Sequence, residues 1–547
     1  MSIDTFFLNF FIKSWKKLRS SAIARERHIS GETGFRSFIP DASGFPVLKK
    51  GDLTPVLIIF LYCASYAILR LLVSPAMELD EAEQFINGAA FHLGYAHQAP
   101  LYTWIVWLVS LVSGRGLVML VLLKYGMLLL FYISFYLVAR IFWEPGESLL
   151  ATGCLLLFPI YSYETNRDLS NTVLLSLMAV VSCYFFLRLL FYGTGRDYIL
   201  FGASCGLGML SKYNFVFCLS AMLLFGVTDA YGRRAVFNKK IFLSTFIFLI
   251  MVLPHFLWLA HNGFSSVQYV YKLSSFGLPK GRSFPIFLFS AYLEVILFLL
   301  VFQLFLGRQM SFGGLFRAEQ KSGAEAFPGY LSPKRIFPAL ALYGLAVPLA
   351  GIIIFNPAHF QSRWLTPVYF TLPLAGFSML KSRSPRAHFA YLGYLCMTIA
   401  AVVFAVRALA GFFPDVTGKT ERIHIPYPEL SGQLETDAME NGIKNLRGLT
   451  VVSCPEDSYI AANILAAMPG AFYIPLHKAA LHPEALDDGG IFICRQGKSV
   501  PSKFLALFPG SKEETVSSPY LHSNDLGPFT LKALIISPGS RRLSARK

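Results

Sequence analysis

The sequence predicts a polytopic α-helical membrane protein of about 11 transmembrane helices. Interfacial helices are expected in its first outer loop, and a small α/β domain at its C-terminal end. Of the 547 residues, 54% are hydrophobic and only 15% are charged. Apolar stretches of spanning length recur from residue 53 to residue 411, after which short strand-like runs replace them. We therefore expect three parts: a basic cytoplasmic tail (1–50), a transmembrane core (51–411) and an extracytoplasmic α/β domain (412–547).

The predicted spans follow from length and composition, because a helix needs about 20 mostly apolar residues to cross a bilayer. They are 53–73, 116–140, 147–160, 168–190, 197–211, 213–230, 240–259, 284–306, 336–355, 364–380 and 386–411. The run from Pro100 to Ser113 is too short to span and is rich in Trp and Tyr, which predicts an interfacial helix. Residues 82–93 are expected to form another.

The distribution of positive charge sets the expected orientation. Residues 1–50 are basic and show no cleavable signal peptide. With the N-terminus in the cytoplasm, the inner loops hold most of the loop cations and the outer loops hold few, as the positive-inside rule requires. An odd number of spans then places the C-terminal domain outside. The localisation we expect is a bacterial inner membrane, with this domain in the periplasm. The net charge of +16 thus reflects topology and excludes a nucleic-acid-binding role.

The C-terminal region has the pattern of a small α/β domain. Strands are predicted at 449–454, 470–475, 490–494 and 529–536, with helices at 428–445 and 457–468. The region contains no glycine-rich phosphate loop or nucleophile motif, so we assign it no catalysis. Cys454 and Cys494 lie in it, and the sequence leaves open whether they form a disulfide bond or are two free thiols.

An acidic cluster follows the first span, at Glu78-Leu79-Asp80-Glu81-Ala82-Glu83. A carboxylate at the membrane interface can act as a general base toward a hydroxyl group, or can orient a divalent cation. The alternative is structural, because acidic residues favour the first turn of a helix. Asp168, in another predicted outer loop, offers a second acid at the same depth, although it could be a plain N-cap.

Cations and polar groups accompany these acids in the outer loops. Lys212 lies in a tight turn after Gly208-Met209-Leu210-Ser211, where it could snorkel or could bind a phosphate. Arg282 and Arg363 are further outer cations. Acids that activate an acceptor and cations that stabilise a departing phosphate suit transfer of a group from a lipid phosphate carrier.

These residues, in this order, resemble the membrane glycosyltransferases of the protein O-mannosyltransferase and aminoarabinose-transferase type, which belong to glycosyltransferase superfamily C. Asp80-Glu81 is similar to the family's Asp-Glu motif, and Asp168 to its second-outer-loop aspartate. The remaining similar stretches are Gly94-Tyr95-Ala96-His97-Gln98-Ala99-Pro100-Leu101, Leu210-Ser211-Lys212 and Arg363-Trp364-Leu365-Thr366-Pro367. The resemblance covers residues 53–380. Ala99 replaces one proline of the family's usual pair, and Glu83 and Gln84 are also departures.

The resemblance implies an inverting transfer of a sugar from a polyprenyl-phosphate carrier to a hydroxyl acceptor. It implies Asp80 as the catalytic carboxylate, Asp168 as its partner and Lys212 as a phosphate contact. We add Glu81 to the catalytic candidates, and His97, Arg282 and Arg363 to the substrate-binding candidates, with no metal site assigned. The preferred acceptor is lipid A or another lipopolysaccharide sugar, and a protein hydroxyl is the alternative. A transporter or flippase of lipid-linked glycans is the competing class, although Lys124 is the clearest charge at mid-depth and no inverted repeat is detectable.

Overall fold

The computed structural model describes residues 49–264, 268, 284–310, 332–355, 360–380 and 386–541, apart from single gaps at 445, 496, 499, 524 and 526. The predicted tail at 1–50 therefore lies almost wholly outside the described residues, and so does Arg282. The rest is mostly helical, followed by a small sheet. The principal helices are α1 (Leu53–Val73), α2 (Leu79–Asn87), α3 (Leu101–Ser113), α4 (Leu117–Arg140), α5 (Pro145–Gly153), α6 (Ser170–Phe191), α7 (Gly195–Ser211), α8 (Phe215–Thr228), α9 (Ala230–Val236), α10 (Ile241–His261), α11 (Phe284–Leu306), α12 (Pro333–Phe355), α13 (Thr371–Ser378), α14 (Arg386–Phe412), α15 (Tyr427–Glu440), α16 (Ser458–Ala467) and α17 (Leu476–Leu481).

Six helices within the described ranges are long and apolar enough to cross a membrane: α1, α4, α6, α10, α12 and α14. The pair α8 and α9, bent by 108°, would make a seventh if it is one span. These helices support an integral membrane protein, whereas the expected count of about eleven spans stays a prediction. Helices α2 and α3 are present in the first long loop, although α2 starts at Leu79 and ends at Asn87, earlier than the predicted 82–93.

Two predicted spans are broken into short pieces. In place of a helix over 147–160, α5 gives way to a 3₁₀ turn (Cys154–Leu157) and, after Pro159, to a π turn (Ile160–Glu164). In place of a helix over 364–380, turns at Ser362–Leu365 and Thr366–Tyr369 precede α13. Glu294 of α11 joins the two breaks, because its carboxylate accepts hydrogen bonds from the Ile160 amide (3.3 Å) and the Ser362 hydroxyl (3.0 Å). A buried backbone group freed by a helix break needs such a partner.

The C-terminal region contains a five-stranded sheet with the order β2-β1-β3-β5-β4. The strands are β1 (Thr450–Ser453), β2 (Phe472–Pro475), β3 (Gly490–Arg495), β4 (Lys512–Ser518) and β5 (Phe529–Ile536). Strand β1 pairs in parallel with β2 and β3, and β5 pairs antiparallel with β3 and β4. Edge strand β4, which begins Lys512-Glu513-Glu514, was not expected from the sequence. Cys454 and Cys494 are free thiols in the structure.

The core helices pack in a series that brings three loops together. Helix α1 packs on α4, α4 on α6, α6 on α7, and α7 on α10. The loop after α1 carries α2, the loop before α6 carries Asp168, and the turn after α7 carries Lys212. These three loops lie together, so that their charged residues form one cluster.

Candidate functional site

The start of helix α2 divides the acidic cluster into two parts. The backbone amide of Glu78 donates a hydrogen bond to Glu81 Oε2 (2.9 Å), which satisfies a donor at the helix N-terminus. Glu78 and Glu81 are both 1% exposed, whereas Asp80 is half-buried. The capping role that the sequence left open for the cluster thus falls to Glu81, and the Asp80 carboxylate faces a different set of neighbours.

Glu81 is the centre of a buried ionic cluster. Arg70, near the end of α1, donates to both of its carboxylate oxygens, at 3.3 and 2.6 Å. The Lys124 ammonium of α4 lies 3.9 Å from Glu81 Oε1 and is fully buried. Charges taken out of water need such pairing, because an isolated buried ion costs several kcal/mol, on the order of 3–5 when one partner is lost. Glu81 therefore anchors α2 to α1 and α4, and its predicted catalytic role stays a prediction.

Asp168 lies directly against the turn of α2 that carries Asp80. The Asp80 amide donates to Asp168 Oδ1 at 3.1 Å and to Oδ2 at 3.4 Å. In return the Ser170 amide hydrogen-bonds to the Asp80 carboxylate. Asp168 thus caps a helix other than its own. Leu169, between these two partners, has φ 63°, a left-handed conformation that costs a non-glycine residue about 1–3 kcal/mol and is held by its surroundings.

Lys212 is the cation whose charge acts most strongly on Asp80. Its ammonium donates to the Thr172 hydroxyl of α6 at 2.9 Å, and its charge acts on Asp80 and Glu83. Arg363 is exposed, and its positive charge also reaches Asp80 and Lys212. The segments that carry these two cations are joined, because the Asn214 side-chain Nδ2 donates a hydrogen bond to the Trp364 carbonyl at 2.8 Å. Predicted residues from four distant segments of the chain are thereby brought together.

Burial and charge shift the titration of this cluster. Burial raises the pKa of Asp80 above its ordinary value, although the positive charges of Lys212, Lys124 and Arg363 oppose the shift. Burial, together with the charge of Asp80, raises the pKa of Asp168 well above its ordinary value. Burial lowers the pKa of Lys212 to about 8, although Asp80 opposes it. Burial and the charge of Asp80 raise the pKa of Glu83, one turn further along α2, to about 7.

The remaining predicted residue of the first loop, His97, has an exposed side chain. Its neighbour Gln98 connects to the site. Gln98 hydrogen-bonds to Asn171 of α6 and to the Thr103 hydroxyl, which donates to Gln84 of α2 at 2.8 Å. Within the described residues, no group of three or more His, Cys, Asp or Glu side chains could hold a metal ion.

The first loop is also tied to the turn that carries Lys212. His255 of α10 bonds through Nδ1 to the Leu93 carbonyl (3.0 Å) and through Nε2 to the Tyr213 hydroxyl (2.9 Å). Its ring stacks on the rings of Tyr213 and Trp258. Beside this stack, Leu93 and α10 line an open apolar groove of about 570 Å³.

Sequence reasoning missed several residues of the cluster. Arg70 had no visible signal, since a cation near the end of an apolar helix is ordinarily a snorkelling residue. Glu83 was visible as an acid one turn from Asp80, a spacing that puts two side chains on one helix face. The contacts of Thr172 depend on how α6 and α7 pack, which no motif reveals.

Comparison with known proteins gives matches of three kinds. The family model of dolichyl-phosphate-mannose-protein mannosyltransferase matches residues 97–258. The lipopolysaccharide core galacturonosyltransferase RgtB of Rhizobium johnstonii is 28% identical over 448 residues, which are 78% of this chain and 84% of that protein. RgtA of the same organism is 28% identical over 333 residues, which are 59% of this chain and 63% of that protein.

Two crystal structures of ArnT from Cupriavidus metallidurans share the fold. The apo structure has a TM-score of 0.52 at 12% identity and covers 89% of this chain and 99% of that one. The structure bound to undecaprenyl phosphate has a TM-score of 0.53 at 12% identity and covers 89% and 98%. Together these matches confirm the resemblance carried by the motifs: the chain is a membrane glycosyltransferase similar to the enzymes that use polyprenyl-phosphate sugars.

Proposed function

We propose that this protein transfers a sugar from a polyprenyl-phosphate carrier to a hydroxyl group of lipopolysaccharide, with inversion at the anomeric carbon. The names of its relatives support this substrate pair, since RgtA and RgtB are galacturonosyltransferases of the lipopolysaccharide core and one ArnT structure holds undecaprenyl phosphate. By the same comparison, galacturonic acid is the sugar we propose, and the lipopolysaccharide core is the acceptor.

Asp80 is the general base in this proposal. It removes the proton from the acceptor hydroxyl, whose oxygen then forms a bond to the anomeric carbon. Asp168 lies against it. Burial and the charge of Asp80 favour the protonated form of Asp168, whereas the positive charges of Lys212, Lys124 and Arg363 favour the ionised form of Asp80. The Ser170 amide fixes the Asp80 carboxylate for this task.

Lys212 and Arg363 stabilise the leaving group. As the bond from the anomeric carbon to the phosphate oxygen breaks, its electron pair stays on the lipid phosphate. Preorganised cations at that position neutralise the developing charge, which removes the need for a general acid. The observation that carries the proposal is that the Asp80 turn bonds to Asp168 while the positive charge of Lys212 acts on Asp80.

The orientation of the site belongs to the same proposal. The excess of cations in the predicted inner loops supports a cytoplasmic N-terminus, with Asp80 and the C-terminal domain on the periplasmic side of a bacterial inner membrane. The boundaries at residues 50 and 411 remain part of this proposal. The other predicted acceptor, a protein hydroxyl, is a competing outcome of the test below.

The test is transfer by the purified full chain in proteoliposomes. Undecaprenyl-phosphate galacturonic acid is the donor, and the acceptors are lipopolysaccharide core, free lipid A and an unmodified protein, each analysed by mass spectrometry. We expect galacturonic acid on the core alone. Modification of the protein alone would replace the acceptor proposal, and movement of the donor across the bilayer without transfer would overturn the enzymatic one.

The pH dependence of kcat/KM reports on the free enzyme and tests the Lys212 role separately. Transfer requires ionised Asp80 and protonated Lys212. Activity should therefore fall at acidic pH, as Asp80 takes up a proton, and at alkaline pH near the Lys212 pKa of about 8. In Lys212→Arg the cation stays charged, so the alkaline limb should move upward by more than about one pH unit.

Lys240→Arg is the matched control for this profile. Lys240 is an exposed lysine that also donates a 2.9 Å hydrogen bond, in its case to the Gly193 carbonyl. Substitution of Lys240 should leave the acidic and the alkaline limb of the pH profile of kcat/KM unchanged. An alkaline limb that stays near pH 8 in Lys212→Arg would assign that titration to another group.

A further inference from the structure

The segment from Ser74 to Glu78, which joins α1 to α2, is held from two directions. From the membrane core, the Arg70 guanidinium donates to the carbonyls of Ser74 (3.0 Å) and Ala76 (2.5 Å). From the opposite direction the segment is covered by the C-terminal domain. Ser74, Met77 and Glu78 are each no more than 2% exposed. Apart from the exposed Pro75, the five-residue connection that leads to the catalytic candidate is therefore buried.

Asn463 makes the contact from the C-terminal domain. It lies on α16, is 3% exposed, and receives the Met77 amide at its Oδ1 (2.6 Å). Its Nδ2 donates to the Met77 carbonyl (3.3 Å) and to the Tyr459 carbonyl of its own helix (2.8 Å). One side-chain amide thus satisfies both backbone groups of Met77, three residues before Asp80. Among side chains this size, only asparagine supplies a donor and an acceptor from one planar group.

Further contacts of the same domain flank this one. The Ser74 hydroxyl donates to the Ile423 carbonyl, and His522 Nε2 lies 2.9 Å from the Val73 carbonyl. Helix α16 also packs against α2 itself. The C-terminal domain therefore contacts the residues that immediately precede Asp80, and not only a surface remote from it.

We propose that Asn463 is a positioning residue for the transfer reaction and that, through it, the C-terminal domain sets the place of Asp80 relative to Lys212. The proposal rests on the proposed function of Asp80 as the base. The Asp80 turn is also restrained by the Glu81 ion pairs, the Asp168 contact and the Ser170 amide, but none of these bonds to Met77 itself. Releasing Met77 lets the first turn of α2 shift, and a misplacement of about 1 Å can lower a rate about 100-fold.

The test compares Asn463→Ala and Asn463→Ser with a matched control. Serine can still donate to the carbonyl four residues before it, so this variant keeps the local bond to Tyr459 while it is too short for Met77. The control is Asn441→Ala, because Asn441 also donates to a carbonyl four residues earlier, that of Asp437 at 2.8 Å, in the same domain. If the alanine variant fails to fold, the serine variant carries the test.

We expect kcat of both Asn463 variants to fall about 10- to 100-fold, with KM for the lipid-linked donor within about twofold of the wild type. Hydrogen exchange of the full chain in nanodiscs should also show amides 77–83 exchanging at least about ten times faster than in Asn441→Ala. Unchanged kcat, unchanged exchange, or a loss expressed only in KM would each overturn the proposal. An inactive wild type would instead overturn the proposed function, and the exchange measurement would still decide whether Asn463 restrains α2.

Discussion

Replacing Asp80 with asparagine is expected to abolish sugar transfer while leaving the fold intact. Asparagine keeps the size of the side chain and an oxygen that can accept the Ser170 amide, but it cannot take the acceptor proton. Loss of a general base costs about 100- to 10,000-fold in rate. The measurement is kcat for transfer from the lipid-linked donor in proteoliposomes, together with the thermal unfolding midpoint of the same sample.

Asp488→Asn is the control for this substitution. Asp488 is an exposed aspartate of the C-terminal domain, so the same chemical change there should leave kcat unaltered. A folded Asp80→Asn protein with more than about a tenth of wild-type kcat would assign the base to another group. Glu83, one turn along α2 with a pKa raised to about 7, would then be the first candidate.

Replacing Glu81 with glutamine is expected to have the largest effect on stability. The substitution leaves Arg70 and Lys124 buried without their counter-ion. Breaking a buried ion pair from one side costs about 3–5 kcal/mol, and we expect a loss of this order in the free energy of unfolding. The measurement is the midpoint of thermal unfolding in detergent, followed by kcat of the fraction that remains folded.

Glu513→Gln serves as the comparison, because Glu513 is an exposed carboxylate on edge strand β4. The midpoint of thermal unfolding of this variant should equal that of the wild type. The double variant Arg70→Gln with Glu81→Gln should recover part of the loss, since residues in one ionic network couple in a double-mutant cycle. A Glu81→Gln protein that melts normally but has lost kcat would support the catalytic role that the sequence suggested for Glu81.

Much of the fold could be predicted because membrane helices are set by composition. The predicted 53–73 and 284–306 match α1 and α11, since lipid requires an uninterrupted apolar run. The broken segments at 147–160 and 364–380 could not be foreseen, because their freed backbone groups are satisfied by distant partners such as Glu294. Strand β4 was missed because an edge strand can carry charges that contradict the usual strand pattern.

The sequence predicted which residues belong to the candidate site better than it predicted the contacts between them. The order of motifs was enough to group Asp80, Asp168 and Lys212, and the structure brings these three together. It was not enough to assign different roles to Asp80 and Glu81. Adjacent residues of a helix point in different directions, but which neighbours each one faces can be inferred only once the start of the helix is known. Nor could the order of motifs reveal Arg70 or Asn463, whose partners are backbone groups and a buried carboxylate that leave no sequence pattern.

The absence of a side chain at position 94 limits how this enzyme can vary. A Cβ atom there would lie 2.2 Å from the ring of Trp258, which stacks on His255 and through it supports Tyr213, the neighbour of Lys212. Closely packed rings transmit such a displacement instead of absorbing it. A methyl group added to the first loop would therefore displace the turn that carries Lys212, although more than a hundred residues separate the two in the chain. Substitutions at Gly94 and at the aromatic stack are accordingly expected to be acceptable only in combination.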